Sequence, residues 1–290
     1  MSPMNPGVID ILMVTHNRLE YTKLSLPRLL ETCDGRMRVW IWHNGTDEPT
    51  LEFVKSIAND PRVHRFHHSP QNQRLRVPMN WFWEHSDAEY VAKIDDDNLM
   101  PDNWGSTLRA AHEAEPKLGV IACWSFLPQD VVSELAERKL NHLGAGHQVM
   151  LNAWVAGTGH VMKRACCRQL GAIREKQSFP NYSVHLAARG WINGWYWPFL
   201  YMVNMDDPRS PYTRLKTEAD FAANRSLSAD RFGIDSLEAF RSRQRTLALE
   251  VQAAHPDPRR YCGWRFKLTR AKEIVASRLP GKRRPLPKWS

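Results

Sequence analysis

The sequence predicts an α/β protein in which helices flank a mostly parallel sheet, followed by a helical, basic C-terminal extension. Three observations lead there. Short apolar runs alternate with segments whose apolar residues recur every three or four positions, in the order β-α-β-α-β-α-β through Asp95, and this is the pattern of a parallel sheet with crossover helices. The chain has 290 residues and 42% hydrophobic content, enough for one large core or two small ones. The charge is unevenly placed: residues 255–290 hold eleven Lys or Arg against two acids, a balance of +9 that equals the net charge of the whole chain, so the body is neutral.

Each element has its own justification. VIDILMVTH (residues 8–16) is an aliphatic, β-branched run and reads as a buried strand, and LEYTKLSLPRLLETC (19–33) has the apolar spacing of a helix. MRVWIWHNG (37–45) is a second strand closed by an Asn-Gly turn, and PTLEFVKSIAND (49–60) is a helix with Pro49 near its start. RVHRFHHS (62–69), RVPMNWFWEHS (76–86) and EYVAKID (89–95) complete the alternation as strand, helix and strand. Beyond them a helix over 102–117, a strand GVIACWSFL (119–127) and mixed elements to about Pro208 continue the domain; from Ser210 the chain reads as helical and polar. The domain is therefore drawn as 1–208, with 209–290 as the extension.

Several classes are set aside. The run from Gly7 contains Asp10, lacks a basic leader and is followed by no small-residue cleavage site, so it does not read as a signal peptide. No window reaches the roughly 18 apolar residues of a membrane span. Five cysteines, odd in number and without C-x-x-C spacing, argue against a disulfide framework and a cysteine zinc site, and the cytoplasm is the expected compartment. Cys166 and Cys167 read as helix-packing residues. His64 and His68 alternate to the face opposite His67, which speaks against a zinc site. Trp191, Trp195 and Trp197 suit either core packing or stacking on an acceptor. A nucleic-acid partner is not expected, because no RNA- or DNA-binding module accompanies the basic end.

The chemistry begins at VAKIDDDNLMPDNW (91–104). Asp95, Asp96 and Asp97 repel one another, and a bound hard cation would compensate. They follow the fourth strand, and in open α/β sheets ligands bind outside the carboxyl ends of the strands. Mg²⁺ or Mn²⁺ held there keeps positions open for phosphate oxygens.

MVTHNR after the first strand, WIWHNGTDEPT after the second, the Asn72 to Asn80 spacing in NQRLRVPMN, and YVAKIDDDNLMPDNW with its D-x-D pattern together resemble the family 2 glycosyltransferases of GT-A fold, a Rossmann-like nucleotide-diphospho-sugar transferase architecture. WVAGTGHVMKRACCRQLGAI is similar to the family's acceptor-side strand and helix, so the resemblance runs over roughly 7–208. It implies transfer of a sugar from a nucleoside-diphosphate sugar, with a UDP-sugar favoured, to a hydroxyl of a glycan or lipid-linked glycan, aided by Mn²⁺ or Mg²⁺. It places Thr15 and Arg18 against base and ribose, Asn44 at the base edge beside His43, which stands where the family usually has Asp, and Arg76 near the diphosphate. Asp95 and Asp96 would approach ribose and metal, and Asp97 would coordinate the metal directly. In YMVNMDDPRSP, where the family often has a metal-binding His, Asp206 is the candidate third ligand.

At the general base the sequence departs from the family. Counting back from Gly190 lands in FPNYSVHLAARG, which has no Asp or Glu. Glu175 from the preceding loop, His185, or a retaining reaction without such a base remain as alternatives. Two other readings stand beside transfer: a catalytically inactive binding protein, and a nucleotidyltransferase, although THNRLEY lacks the G-x-G-x-R loop the latter would want. Finally, WRFKLTRAKEIVASRL, read as a helix, aligns Trp264, Leu268, Ala271, Val275 and Leu279 in one apolar stripe ringed by Arg and Lys. That pattern suits an in-plane membrane helix, with residues 259–290 on an anionic surface at the inner face of the membrane.

Overall fold

A computed structural model describes residues 5–263 and Phe266. The chain runs β1 (Asn5–Thr15), α1 (Leu19–Glu31), β2 (Met37–Asn44), α2 (Glu48–Ile57), β3 (Val63–Ser69), α3 (Arg76–His85), β4 (Ala88–Asp95), β5 (Asn98–Leu99), α4 (Trp104–Ala114) and β6 (Leu118–Ala122). It continues through α5 (Ser133–Glu137), β7 (Leu140–His142), β8 (Gln148–Leu151), β9 (His160–Lys163), α6 (Arg164–Leu170), α7 (Phe179–Ala187), β10 (Ile192–Trp197), β11 (Val203–Asn204), α8 (Glu218–Ala223), α9 (Leu227–Phe232) and α10 (Leu237–Ala253). Among the described residues no helix is long and apolar enough to cross a membrane.

The main sheet has the order β3-β2-β1-β4-β9-β6-β10-β8-β7. β1 to β4 pair in parallel, β9 enters antiparallel between β4 and β6, and β10 is again parallel to β6 before β8 and β7 reverse. Alternation along β1 explains its apolar run: Ile9, Ile11 and Met13 enter one core with α1, α2 and α4, while Leu12 and Val14 enter the other with α3, α6, α7 and the end of α10. Both faces are covered, as parallel sheets require. Asp10 interrupts this run without a buried unpaired charge, because Arg38 binds its two oxygens at 2.7 and 2.9 Å and the Ser86 hydroxyl donates at 2.7 Å.

Three expectations needed adjustment. The helix drawn over 102–117 is Trp104–Ala114, and the strand drawn to residue 127 ends at Ala122, after which Trp124 bridges singly to Tyr201. The segment after Ser210 is helical as read, yet it buries its own apolar cluster of Leu215, Phe221, Ala229, Ile234, Leu237 and Phe240, and Ala248 and Val251 of α10 belong to the core of the main sheet. Polar clamps fix that docking. Gln252 accepts from Val132 N at 2.7 Å and donates to Asp130 O at 2.9 Å, and the buried Lys139 ammonium donates to the Val251 and Ala254 carbonyls.

Candidate functional site

The parallel strands β1, β2 and β4 end at one edge, since Val14 is level with Asp95 and Thr15 with His43. Thr15, Asn44 and the aspartates therefore converge because the strands are parallel and in register. The chain turns after Asp95, and the two-residue strand β5 pairs antiparallel with β11, with Asn204 opposite Asn98. The Met205 amide donates to Asp97 O at 2.8 Å. This small ribbon carries Asp206 to the acidic turn.

Arg18 sits between the two acidic segments. Its guanidinium donates to Asp97 Oδ2 at 3.0 Å, pairs with Asp206, and lies 3.9 Å from Asp96 Oδ1. Burial alone would lower the pKa of Arg18, but Asp206, Asp97 and Asp96 together hold it above its ordinary value. Burial raises the carboxyls in turn: Asp97 reaches about 6, with Asp206 the next cause and Arg18 opposing, and Asp96 lies well above the usual carboxylate range. Asp95 is also raised by burial, offset by Lys93, whose ammonium donates to it from inside β4.

Around this centre the turn is rigidly tied. Thr158 Oγ1 accepts from the Asp95 amide at 2.9 Å and donates to Asn98 Oδ1 at 2.7 Å, while Asn98 donates to Asp97 Oδ1 at 2.9 Å. The Tyr21 hydroxyl donates to Met205 O at 3.1 Å and accepts from the Arg214 amide at 3.0 Å. Behind Asp206, half-buried Arg209 grips Asp207 and, through two bonds of 2.7 Å, Asp130.

The residues singled out from sequence separate into two groups. Thr15, Arg18, Asn44, Asp95, Asp96, Asp97 and Asp206 meet at this edge. Thr15 Oγ1 bonds His43 Nδ1 at 2.9 Å, and burial keeps His43 neutral with a pKa lowered to about 4. The side chain of Asn44 is bonded inward: its oxygen accepts from Trp42 Nε1 at 2.9 Å and Gln73 N at 3.1 Å, and its amide donates to Arg74 O at 3.0 Å. It thereby fixes the loop that leads to Arg76, the half-buried first residue of α3.

Glu175 and His185 belong to the loop before α7 and to α7 itself, not to the strand ends that carry the aspartates. Glu175 is exposed on the loop between α6 and α7. In the first turn of α7 Phe179 stacks on His160 at 4.0 Å, and His160 pairs with Lys93 of β4, whereas His185 is in the last turn of α7, ahead of β10 in the chain. Burial, then Arg189 and Arg174, lower its pKa. Sequence reading missed Lys93, Thr158 and Tyr21. Lys93 had a visible signal: a cation in an apolar strand two positions before Asp95 shares a face with it. Thr158 and Tyr21 had none, because their partners are distant in sequence.

The donor set suits a hard divalent cation in one specific way. Among the described residues no group of three or more His, Cys, Asp or Glu is arranged to hold an ion by itself. Two carboxylates, Asp97 and Asp206, do meet at a single cationic group. One or two carboxylates with solvent and phosphate oxygens is the usual environment of Mg²⁺, so these residues fit an ion shared with a phosphate ligand.

A family model described as "Glycosyl transferase family 2" matches residues 10–149. Among solved structures, the mannosyltransferase PcManGT from Pyrobaculum calidifontis, in complex with GDP-Man and Mn²⁺, aligns with a TM-score of 0.56 at 16% identity, covering 96% of this chain and 83% of that one. S. aureus TarS 1-349 in complex with UDP-GlcNAc aligns with a TM-score of 0.52 at 12% identity, covering 88% and 89%. A further structure of TarS 1-349 gives 0.53 at 11%, covering 98% and 99%. At these identities the likeness is one of fold.

Proposed function

Residues 10–149 belong to glycosyl transferase family 2 and the fold is GT-A, and from that premise we propose that the protein transfers a sugar from a nucleoside-diphosphate sugar to an acceptor hydroxyl with the help of Mn²⁺ or Mg²⁺. The observation that carries the reading is the meeting of Asp97 and Asp206 on Arg18 at the carboxyl edge of the parallel strands. Asp97 and Asp206 would hold the cation, and when bound it offsets charge on the departing nucleoside diphosphate. Arg18 and Arg76 serve the diphosphate by the preference of guanidinium for phosphate oxygens. Thr15, His43 and Asn44 shape the floor under the nucleoside, with uridine favoured, and Asp95 and Asp96 face the ribose and metal side. The acceptor is a hydroxyl of a glycan or lipid-linked glycan.

The test is donor hydrolysis over a panel of UDP- and GDP-sugars, with and without Mn²⁺. Turnover should require the metal, and Asp97→Asn should reduce it by at least about a hundredfold, as loss of a transition-state charge stabiliser does, while the variant still folds and unfolds cooperatively. Metal-independent turnover, or an Asp97→Asn enzyme that turns over normally, rejects the assignment. Tighter binding of GDP than UDP rejects the uridine preference.

The absence of any Asp or Glu from FPNYSVHLAARG favours a second reading, in which neither Glu175 nor His185 is the base: a retaining transfer, or donor binding without transfer. Glu175→Gln and His185→Asn, with the product anomer read by NMR, separate these. Loss of turnover in either variant identifies the base, unchanged turnover with a retained anomer supports retaining transfer, and donor binding with no product from the natural protein supports binding without transfer.

Residues 259–290 would bring the crevice to an anionic membrane surface. The apolar stripe from Trp264 to Leu279 lies outside the described residues, so this rests on sequence pattern alone. Co-sedimentation with anionic vesicles should weaken with salt and vanish on removal of 259–290; sedimentation of the shortened chain equal to that of the full one rejects the tail as the anchor.

A further inference from the structure

At the opposite end of β4 from the aspartates is a cavity of about 480 Å³ between α3 and α6, walled by Trp83 and Glu84 on one side and by Arg164, Cys167 and Arg168 on the other. Ser86 and Asp87 line its base just before β4 begins, which puts it about 26 Å from the acidic turn for an eight-residue strand. Its volume is in the range of small-molecule sites.

Four of the polar side chains on its wall are already bonded. Asn80 exchanges two bonds with the Ile173 backbone, at 2.9 and 3.0 Å. The Ser86 hydroxyl donates to Asp10, and Asp87 is paired with Arg38. His85 Nδ1 is bonded to Trp81 O at 2.8 Å. The two arginines are not. Among the described residues neither Arg164 nor Arg168 has an ion-pair partner, and Arg164 Nη1 is buried with no hydrogen-bond partner. They are four apart on one helix, so they present their charges side by side, and burial, then Arg168, lower the pKa of Arg164 against the smaller opposing pull of the Asp10 and Asp87 carboxylates, both already bonded to Arg38. Glu84, exposed, is the one acid of the lining without a partner.

A buried guanidinium nitrogen without an acceptor is costly, and a second guanidinium beside it adds repulsion. An oxyanion removes both penalties, and paired guanidinium forks match phosphate geometry. We propose that this cavity is a second binding site, separate from the donor crevice, for a small phosphate-bearing ligand held by Arg164 and Arg168 with Trp83 as its apolar wall.

Calorimetric titration of the full chain with inorganic phosphate, at constant ionic strength and with uridine diphosphate saturating, tests this. Saturable binding is expected to persist under uridine diphosphate. Arg164→Gln and Arg168→Gln should each weaken it by about tenfold or more, as loss of a charge-assisted bond does, and Glu84→Gln should strengthen it. Arg168 is exposed, so Arg168→Gln keeps the fold and the test stands even if Arg164→Gln does not fold. Absence of binding in the millimolar range, full displacement by uridine diphosphate, or affinity indifferent to Arg168→Gln overturns the proposal.

Discussion

Asp97 is held at about 6 by burial and by Asp206, against the opposing pull of Arg18. A carboxyl raised on folding contributes stability that is fully present below its unfolded value, near pH 4, and is lost as pH rises through about 6. Asp97→Asn is therefore expected to be more stable than the natural protein at pH 7.5, with the gap closing towards pH 4, as thermal melts across that window would show; a lower melting temperature at pH 7.5 contradicts it. Arg18 is the internal counter-cation of the same pair, so Arg18→Gln should lower the melting temperature and yet bind Mn²⁺ without nucleotide about tenfold more tightly, equivalent to ~1.4 kcal/mol. Titration followed by Mn²⁺ paramagnetic resonance reads this directly, and unchanged affinity would show that Arg18 does not compete. At this scale Asp95 to Asp97 were legible because three adjacent acids behind a strand are costly without a purpose. The bridging of Asp97 and Asp206 by Arg18 was not, since a pattern in sequence does not say which side chains meet across 188 positions.

Among elements, the first four strands and three helices were legible because period and turn residues mark them locally. The antiparallel entry of β9 was not: alternation with a period of two is the same in either direction. Gly194 of β10 shows what another antiparallel pairing, that with β8, demands. A Cβ there would lie 2.2 Å from the Met150 carbonyl oxygen and 2.7 Å from Val149 Cγ2, both on β8. Gly194→Ala should thus cost about 1–3 kcal/mol, lowering the melting temperature by roughly 2–4 °C per kcal/mol at this size. Gly35, with nothing within 4 Å of such an atom, is the control, and Gly35→Ala should stay within about 0.5 kcal/mol. Equal melting temperatures for the two variants would mean that β8 shifts freely.

For the whole molecule, α10 decides how the chain tolerates shortening. Its Ala248 and Val251 fill the core beside Trp154 and Trp195, and its Gln252 satisfies the Val132 amide. A chain ending at residue 236 should lose cooperative unfolding, whereas one ending at 263 should keep it; calorimetry that finds the same transition in both would detach α10 from the stability of the sheet. The polar composition of 210–253 concealed this, because a helix that buries only a few positions looks solvated in sequence. The link from Arg18 to Asp206 also has a meaning in time. At about 5–20 residues per second of synthesis, Arg18 waits roughly 10–40 s for its partner to be made, with 188 positions between them. Until then a nascent chain can fold its early strands but cannot assemble the pair of carboxylates, so a ribosome-bound or prematurely terminated product is expected to be silent towards donor.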